Sequence, residues 1–420
     1  MTIHAICIGT ELLLGHTVNT NLAFLGNELQ AAGYAVEREI CIPDTPATVA
    51  AELSRELADA EVIVTVGGLG PTSDDITRQT VADELGLPLV FQPDVYHRIA
   101  EYLARRNVNV PDEALRAQAM VPEGARILPN KNGTAPGLCC IQGEKLVFML
   151  PGPPRELQPM VRESVMPLLR EKYAPTLAIA AVSSCGIPES SVAARVEQIL
   201  KSYPEVHPAY CARPFMVDVR LATEPANRSR LDAAEQAVRR ALGNAVIGSG
   251  GTSLPAALGE LLRARNATLA TAESCTAGQI SSAITSVPGS SSYFAGGIVS
   301  YSNTAKQQLL GVNEQTLETH GAVSEHVALE MMQGAMERLA ASTGIAVTGI
   351  AGPGGGTEEK PVGLVYIATG TDAVYAVRRY VFPGNREAVR QRTVTVALNQ
   401  LRLQLLEHRP IPAHEADIES

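Results

Sequence analysis

The chain of 420 residues is predicted to be α/β, with a doubly wound sheet at its N-terminal end, a small α+β module in the middle and a second α/β domain at its C-terminal end. Three observations predict this. Apolar runs alternate with helix-period segments in the first and last parts of the chain, which implies mostly parallel sheets covered by helices. Several of these runs end in glycine-rich turns, where sheets of this kind bind ligands. Between the two regions the order changes to strand, helix, strand, helix, and Gly248-Ser249-Gly250-Gly251-Thr252-Ser253 then has the composition of a flexible linker. The length agrees, being enough for two or three domains.

In the first region Ile3–Ile8 reads as a buried strand that ends at Gly9-Thr10-Glu11-Leu12-Leu13. A helix over Asn21–Ala32 follows, with Leu22, Leu25 and Leu29 on one face and Gly33 as its stop. Val36–Ile42 is a second strand and Thr48–Ala58 a second helix. Glu61–Val66 is a third strand, running into Gly67-Gly68-Leu69-Gly70-Pro71-Thr72-Ser73-Asp74-Asp75 and the helix Ile76–Leu85. Glycines let a backbone approach a ligand closely, and their N–H groups suit phosphate. Asp74 and Asp75 add hard oxygens able to hold a divalent cation that bridges to phosphate. Glycine turns and aspartate caps also open many ordinary helices, so a phosphate-and-metal site and a plain turn are both compatible with this stretch. Leu138–Ile141 is a further apolar stretch and Lys145–Leu150 a further strand. The latter ends at Pro151-Gly152-Pro153-Pro154-Arg155-Glu156, a rigid corner before the helix Leu157–Lys172.

The middle module is read as strand Thr176–Ser184, helix Glu189–Lys201, strand Phe215–Ala222 and helix Asn227–Leu242. The last domain opens with the helix Leu254–Arg265. Its strand Ala267–Ala270 enters Thr271-Ala272-Glu273-Ser274-Cys275-Thr276-Ala277-Gly278, and Gln279–Ile284 has helical character. That pattern places Ser274 at a helix N-terminus, where free N–H groups stabilise an oxyanion or a phosphate; a serine there also serves as a simple helix cap. Tyr301-Ser302-Asn303 and Lys306 sit at or just after the end of another predicted strand. Strand ends in one sheet converge, so these turns can share a cleft. The domain's histidines, His320 and His326 with His408 just beyond, lie in helical or polar surroundings and support no Ser-His-Asp triad. A desolvated lysine assisted by a tyrosine hydroxyl is the alternative base for the serine.

Composition narrows the function classes. Hydrophobic residues make up 45% and charged residues 19%, as in a globular protein, and with no tryptophan the cores must be built from Ala, Val, Leu and Ile. A net charge of −10 argues against broad nucleic-acid contact. The seven cysteines are scattered and have no C-x-x-C spacing, so neither a zinc site nor a disulfide framework is suggested. The N-terminus has no basic leader and no apolar run is of membrane-spanning length, so a cytoplasmic location without a membrane partner is expected.

Taken together, TAESCTAG (Thr271–Gly278), YSNTAK (Tyr301–Lys306), GAVSE (Gly321–Glu325), GIAGP (Gly349–Pro353) and KPVG (Lys360–Gly363) resemble the nicotinamide-nucleotide amidohydrolase domain of the CinA competence/damage-inducible family. GTELL (Gly9–Leu13), GGLGPTSDD (Gly67–Asp75), NGTAPG (Asn132–Gly137) and PGPPRE (Pro151–Glu156) resemble that family's N-terminal domain, itself similar to molybdopterin-binding proteins. The order of motifs covers nearly the whole chain.

The resemblance implies a molybdopterin-binding-like domain over residues 1–174, a KH-like module over 175–247, an amidohydrolase domain over 254–408 and a disordered tail over 409–420. It implies hydrolysis of the carboxamide of nicotinamide mononucleotide by the last domain without a cofactor, with Ser274 as nucleophile, Tyr301 and Lys306 assisting, and Ser291, Thr348, Gly349 and Arg390 binding substrate. For the first domain it implies cleavage of ADP-ribose to AMP and ribose 5-phosphate with a divalent metal ion, Mg, Mn or Co. There Gly9, Thr10, Glu11, Gly67, Gly68, Gly70, Gly152 and Pro153 would hold the ligand, and Asp74 and Asp75 the metal. A homodimer is expected. In the middle module Gly186-Ile187-Pro188-Glu189 replaces the G-x-x-G clamp of RNA-binding KH domains. The alternative is a molybdopterin-type ligand-binding protein, or a competence or recombination factor, without turnover.

Overall fold

The computed structural model describes residues 1–72, 74–371 and 373–407; the tail expected over 409–420 and His408 lie outside the described residues. The chain forms two compact units. The first is Met1–Ile179 with Thr223–Arg228, and the second is Ala180–Ala222 with the chain from Ser229 onward.

The first unit is built on strands β1 (Ile3–Ile8), β2 (Val36–Ile42), β3 (Val62–Val66), β4 (Leu89–Phe91), β5 (Met120–Pro122), β6 (Arg126–Leu128), β7 (Gly137–Gln142) and β8 (Lys145–Leu150). Six of them form one sheet in the order β2-β1-β3-β8-β7-β6, and β4 pairs separately with β5. The pairs β1–β2, β1–β3 and β3–β8 are parallel, while β7 and β6 are added antiparallel. Only a two-residue turn separates β7 from β8, too short for a crossover, so this edge cannot be parallel. Every residue of β1 and β3 is buried, because both faces are covered. Val62, Val64 and Val66 pack into one helix layer with Leu25, Leu29 and Leu157. Ile63 points into the other layer, with Val49, Leu53 and Val81. The helix expected over Leu157–Lys172 is two helices, Pro154–Met160 and Met166–Lys172, joined by a π-turn at Val161–Val165. Pro159 and Pro167 remove two donors from this stretch, which accounts for the interruption.

The second unit holds two sheets. Strands β9 (Ala178–Cys185), β10 (His207–Arg213), β11 (Met216–Thr223) and β12 (Val246–Ser249) lie in the order β10-β11-β9-β12, with helices Glu189–Leu200 and Arg228–Leu242. Gly248 and Ser249, read from composition as linker, are instead strand: Ser249 pairs with Val182 across β9. The buried Arg402 of the C-terminal helix donates to the carbonyls of Asn244 (2.6 Å) and Val246 (3.2 Å), tying that helix to β12.

Strands β13 (Leu269–Glu273), β14 (Phe294–Val299), β15 (Thr343–Gly349), β16 (Leu364–Gly370) and β17 (Tyr375–Val381) form the second sheet, in the order β14-β13-β15-β16-β17. β14, β13 and β15 are mutually parallel and β16 and β17 antiparallel. Leu269, Ile345, Val347 and Ile367 face the helices Leu254–Ala264 and Arg386–Glu407. The opposite face presents Ala270, Ala272, Ala346 and Ala368, whose small side chains let Met331, Met332 and Met336 of the helix Glu325–Arg338 fill the layer. Among the described residues no helix is long and apolar enough to cross a membrane.

Candidate active sites

The parallel strands of the second sheet bring three carboxyl ends together, and a cavity of about 210 Å³ opens there. Ser274, Tyr301, Lys306, Thr348 and Gly349 all line it. The Ser274 N–H donates to the Val347 carbonyl (3.1 Å), so the residue continues the β13–β15 ladder by one bond and is 8% exposed.

Lys306 reaches it from the helix Asn303–Leu310 and is 1% exposed. Its Nζ lies 3.1 Å from Ser274 Oγ, 2.8 Å from the Ser300 carbonyl and 3.4 Å from the Tyr301 carbonyl. Among the described residues no carboxylate pairs with it. Burial pushes the lysine below its usual range, opposed only by the neighbouring Cys275 thiol, itself pushed up to about 11 by burial. A neutral amine has two N–H groups and one lone pair. As the ammonium, Lys306 donates to all three oxygens; as the neutral amine, it would give its two N–H groups to the carbonyls and keep the lone pair for the serine hydroxyl.

The loop after Ser274 differs from the sequence expectation. The helix starts at Gln279, not beside Ser274, and its first N–H groups are already engaged. The buried Glu273 carboxylate accepts from the N–H groups of Gly278 (2.9 Å), Ile280 (3.0 Å) and Ser281 (2.8 Å) and from the hydroxyls of Thr276 and Ser281. The helix N-terminus therefore cannot serve an oxyanion. The N–H groups of Cys275 and Thr276 lie directly after the serine and are engaged by no other residue among the described ones, the Cys275 N–H being within reach of its own thiol. Ala277 takes a left-handed φ of 49°, which a non-glycine residue adopts only at a cost, and turns the loop back toward the helix.

Three other expectations are corrected. The Tyr301 hydroxyl is not aimed at Ser274 or Lys306: the side chain is 62% exposed, and its oxygen is 3.4 Å from Arg386 Nη2. Arg390 is not in the cavity wall but donates to the Thr276 carbonyl (2.9 Å), holding the loop from behind. Ser291 lies exposed in the turn that enters β14. Because β13 and β14 are parallel, that turn sits at the amino end of the sheet, roughly 15–20 Å of strand from Ser274. Thr348 lines the cavity, but its hydroxyl donates to the Ala322 carbonyl (2.7 Å). Lys360, outside the cavity lining, holds the segment that carries Ala322 and Val323 by donating to the carbonyls of His320 and Val323. Sequence reasoning missed Glu273 and Arg386. The first stood inside the serine motif, and the second lies in a separate helix with no local signal.

In the first unit the carboxyl ends of β1, β3 and β8 surround a cavity of about 540 Å³. Gly9, Glu11, Gly67, Gly68, Gly70, Asp74, Asp75, Gly152 and Pro153 line it, whereas Thr10 does not; its hydroxyl bonds to Asp44, which does. Gly67 (φ 107°) and Gly68 (φ 67°) could not be replaced, since a Cβ would stand 2.2 Å from the Ile8 carbonyl and 2.2 Å from the Thr77 hydroxyl. The Gly67 N–H is used by the Leu150 carbonyl (2.9 Å), but those of Gly68, Leu69 and Gly70 have no protein partner among the described residues. Buried Arg78 fixes this loop by donating to the Leu69 carbonyl (2.8 Å).

The lining contains the carboxylates Glu11, Asp44, Asp74, Asp75 and Glu156 and no lysine, arginine or histidine. Asp75 Oδ2 already accepts from the N–H (2.9 Å) and hydroxyl (2.5 Å) of Thr72. Among the described residues no three His, Cys, Asp or Glu side chains converge to hold a metal. Asp74 and Asp75 would be the residues to hold a divalent cation there, which would supply positive charge for a phosphorylated ligand and would need further oxygens from outside the protein.

Fold and sites define an α/β chain that joins a molybdopterin-binding type of domain to a second sheet domain with a serine–lysine pocket. Residues 4–171 match the family model described as "Probable molybdopterin binding domain", and residues 251–405 the one described as "CinA C-terminal domain". A protein of Caldicellulosiruptor bescii named "Putative competence-damage inducible protein" is 40% identical over 412 residues, which cover 97% of this chain and 100% of the relative. A CinA-like protein of Desulfovibrio desulfuricans is 40% identical over 426 residues, 99% of each. The crystal structure of the competence/damage inducible protein CihA from Agrobacterium tumefaciens covers 36% of this chain and 96% of its own, at 42% identity and a TM-score of 0.34. The chain belongs to the CinA family of competence/damage-inducible proteins.

Proposed function

We propose that the second unit is an amidase that converts nicotinamide mononucleotide to nicotinate mononucleotide and ammonia. The observation that carries this reading is the buried, carboxylate-free Lys306 amine 3.1 Å from Ser274 Oγ, with two carbonyls taking its N–H groups. Ser274 Oγ attacks the carboxamide carbon as its proton passes to Lys306 Nζ. The negative oxygen of the tetrahedral intermediate is held by the N–H groups of Cys275 and Thr276. Lys306 returns the proton to the departing nitrogen, the C–N bond breaks and ammonia leaves, so that Ser274 carries an ester. Water then attacks the ester carbon, giving one proton to Lys306; the serine leaves with that proton as the carboxylic acid forms, and the acid loses its remaining proton to solvent to give nicotinate. No metal takes part.

For the first unit we infer hydrolysis of ADP-ribose to AMP and ribose 5-phosphate. The free N–H groups of Gly68, Leu69 and Gly70 suit phosphate oxygens, and Asp74 and Asp75 would hold a divalent cation. When bound, that ion supplies the positive charge that the lining lacks. The test is incubation of the full chain with each substrate, with and without magnesium, manganese or cobalt. Ammonia from the mononucleotide and AMP from ADP-ribose are expected; binding of either without product would favour a ligand-binding protein instead.

A further inference from the structure

After Ser274 the chain curls around one carboxylate. Glu273 is fully buried, and its Oε2 accepts from the Thr276 hydroxyl (2.8 Å) and from the N–H groups of Gly278 (2.9 Å) and Ile280 (3.0 Å). Its Oε1 accepts from the Ser281 N–H (2.8 Å) and hydroxyl (2.7 Å). A helix cap uses one side-chain oxygen for one N–H, so five donors on one carboxylate exceed what capping requires. A buried charge is costly unless it is hydrogen-bonded, and among the described residues no lysine or arginine pairs with this one. The donors of the turn compensate it, and in doing so they hold the backbone in the curl. The remaining N–H groups of the turn are used within it: that of Ala277 goes to the Ser274 carbonyl (3.2 Å) and that of Gln279 to the Thr276 carbonyl (3.2 Å). From Cys275 to Ser281, then, only the two N–H groups next to the serine, those of Cys275 and Thr276, have no other residue as partner among the described residues. Arg390 holds the same turn from the far side through the Thr276 carbonyl (2.9 Å).

We propose that Glu273 is a positioning residue for catalysis at Ser274: by gathering the other donors of the turn, its carboxylate leaves the N–H groups of Cys275 and Thr276 turned toward the group that bonds to the serine. This rests on the amidase reading. In E273Q one acceptor oxygen becomes an NH2 group facing N–H donors, so the curl should open. The test uses the full chain as wild type, E273Q and S281A, with thermal melts as the folding control. Two rates are measured: steady-state ammonia release from nicotinamide mononucleotide, and covalent labelling of Ser274 by an alkyl fluorophosphonate. In the labelling the Ser274 Oγ–P bond forms, the P–F bond breaks, fluoride leaves and the serine proton passes to Lys306 Nζ. The probe thus reports the nucleophile and its oxyanion donors without the nucleotide. E273Q is expected to lower kcat and the labelling rate roughly 100-fold per folded molecule, with KM within about two-fold of wild type. S281A keeps the charge and four of the five donors, and both rates should fall only about three-fold. A purely structural cap would lower the melting temperature and leave both rates per folded molecule unchanged; that result, or a loss confined to KM, would overturn the proposal. If E273Q does not fold, S281A decides by the same criteria. If the wild type releases no ammonia, the amidase reading fails and the labelling rates alone decide: slower labelling of E273Q supports the role of Glu273 and equal labelling overturns it. A wild type that is not labelled either overturns both.

Discussion

The two cavities lie at equivalent places, the carboxyl ends of parallel strands, yet they carry opposite charge. The first is large and lined by five carboxylates, glycine backbone and no cation. The second is small and lined by the Lys306 amine and the positively charged Arg386 guanidinium, with no carboxylate among the described residues. The first has to import positive charge to accept a phosphorylated ligand, whereas the second has its own. Under the proposed functions, the same strand-end architecture would serve a metal-requiring and a metal-free chemistry, with the side chains of the turns deciding between them.

Several substitutions would break or sharpen that contrast. The largest effect is expected in the second cavity. Lys306→Ala should lower ammonia release about 1,000-fold or more, as loss of a positioned base does. Combining it with Ser274→Ala should cost little beyond either single change, because the two act as one unit; additive losses in steady-state assays would show that they act separately. Next comes the first cavity. Asp74→Asn with Asp75→Asn should reduce AMP formation from ADP-ribose by about 100-fold or more, while ammonia release stays near normal. A parallel loss of ammonia release would erase the distinction.

A subtler consequence concerns pH. Lys306 must be neutral to accept the serine proton, so kcat/KM for the mononucleotide should rise with pH through the folded-state pKa of this group. Since burial lowers that pKa, the rise should be centred below the ordinary lysine value of about 10.4. Stability follows the same sign: between the lowered folded pKa and the unfolded one, the unfolded chain binds more protons, so stability increases with pH across that window. A rate that falls over this range in a pH profile would mean that the ammonium, not the amine, is the working form. The smallest effect belongs to the serine loop. Ala277→Gly removes the left-handed strain and should stabilise the second unit by roughly 0.5–1 kcal/mol in a denaturant titration.

Much of this was legible in the chain because strand ends announce themselves. The runs before Gly9, Gly67 and Ser274 are apolar enough to be read as strands, and the turns after them line the cavities. What stayed hidden depends on partners distant in sequence. Glu273 looks like an ordinary motif residue until its carboxylate is seen to collect the N–H groups of the following turn. Arg386 is 112 residues beyond Ser274, on another helix, and nothing near it in sequence points to the cavity. The end of β12 was mistaken for linker because Gly248 and Ser249 have little strand propensity of their own; pairing with β9 supplies what propensity does not. Ser291 was placed by motif order alone, which does not report the end of the sheet a turn occupies.

The most direct test of the account is ammonia release from nicotinamide mononucleotide by the full chain stripped of metal with EDTA, measured beside Ser274→Ala with the melts of both compared. The account predicts undiminished release by the chelated wild type, and a fall of several orders of magnitude in a variant that melts within about 1 kcal/mol of it. Release that stops on chelation, or that persists near normal in Ser274→Ala, would contradict it.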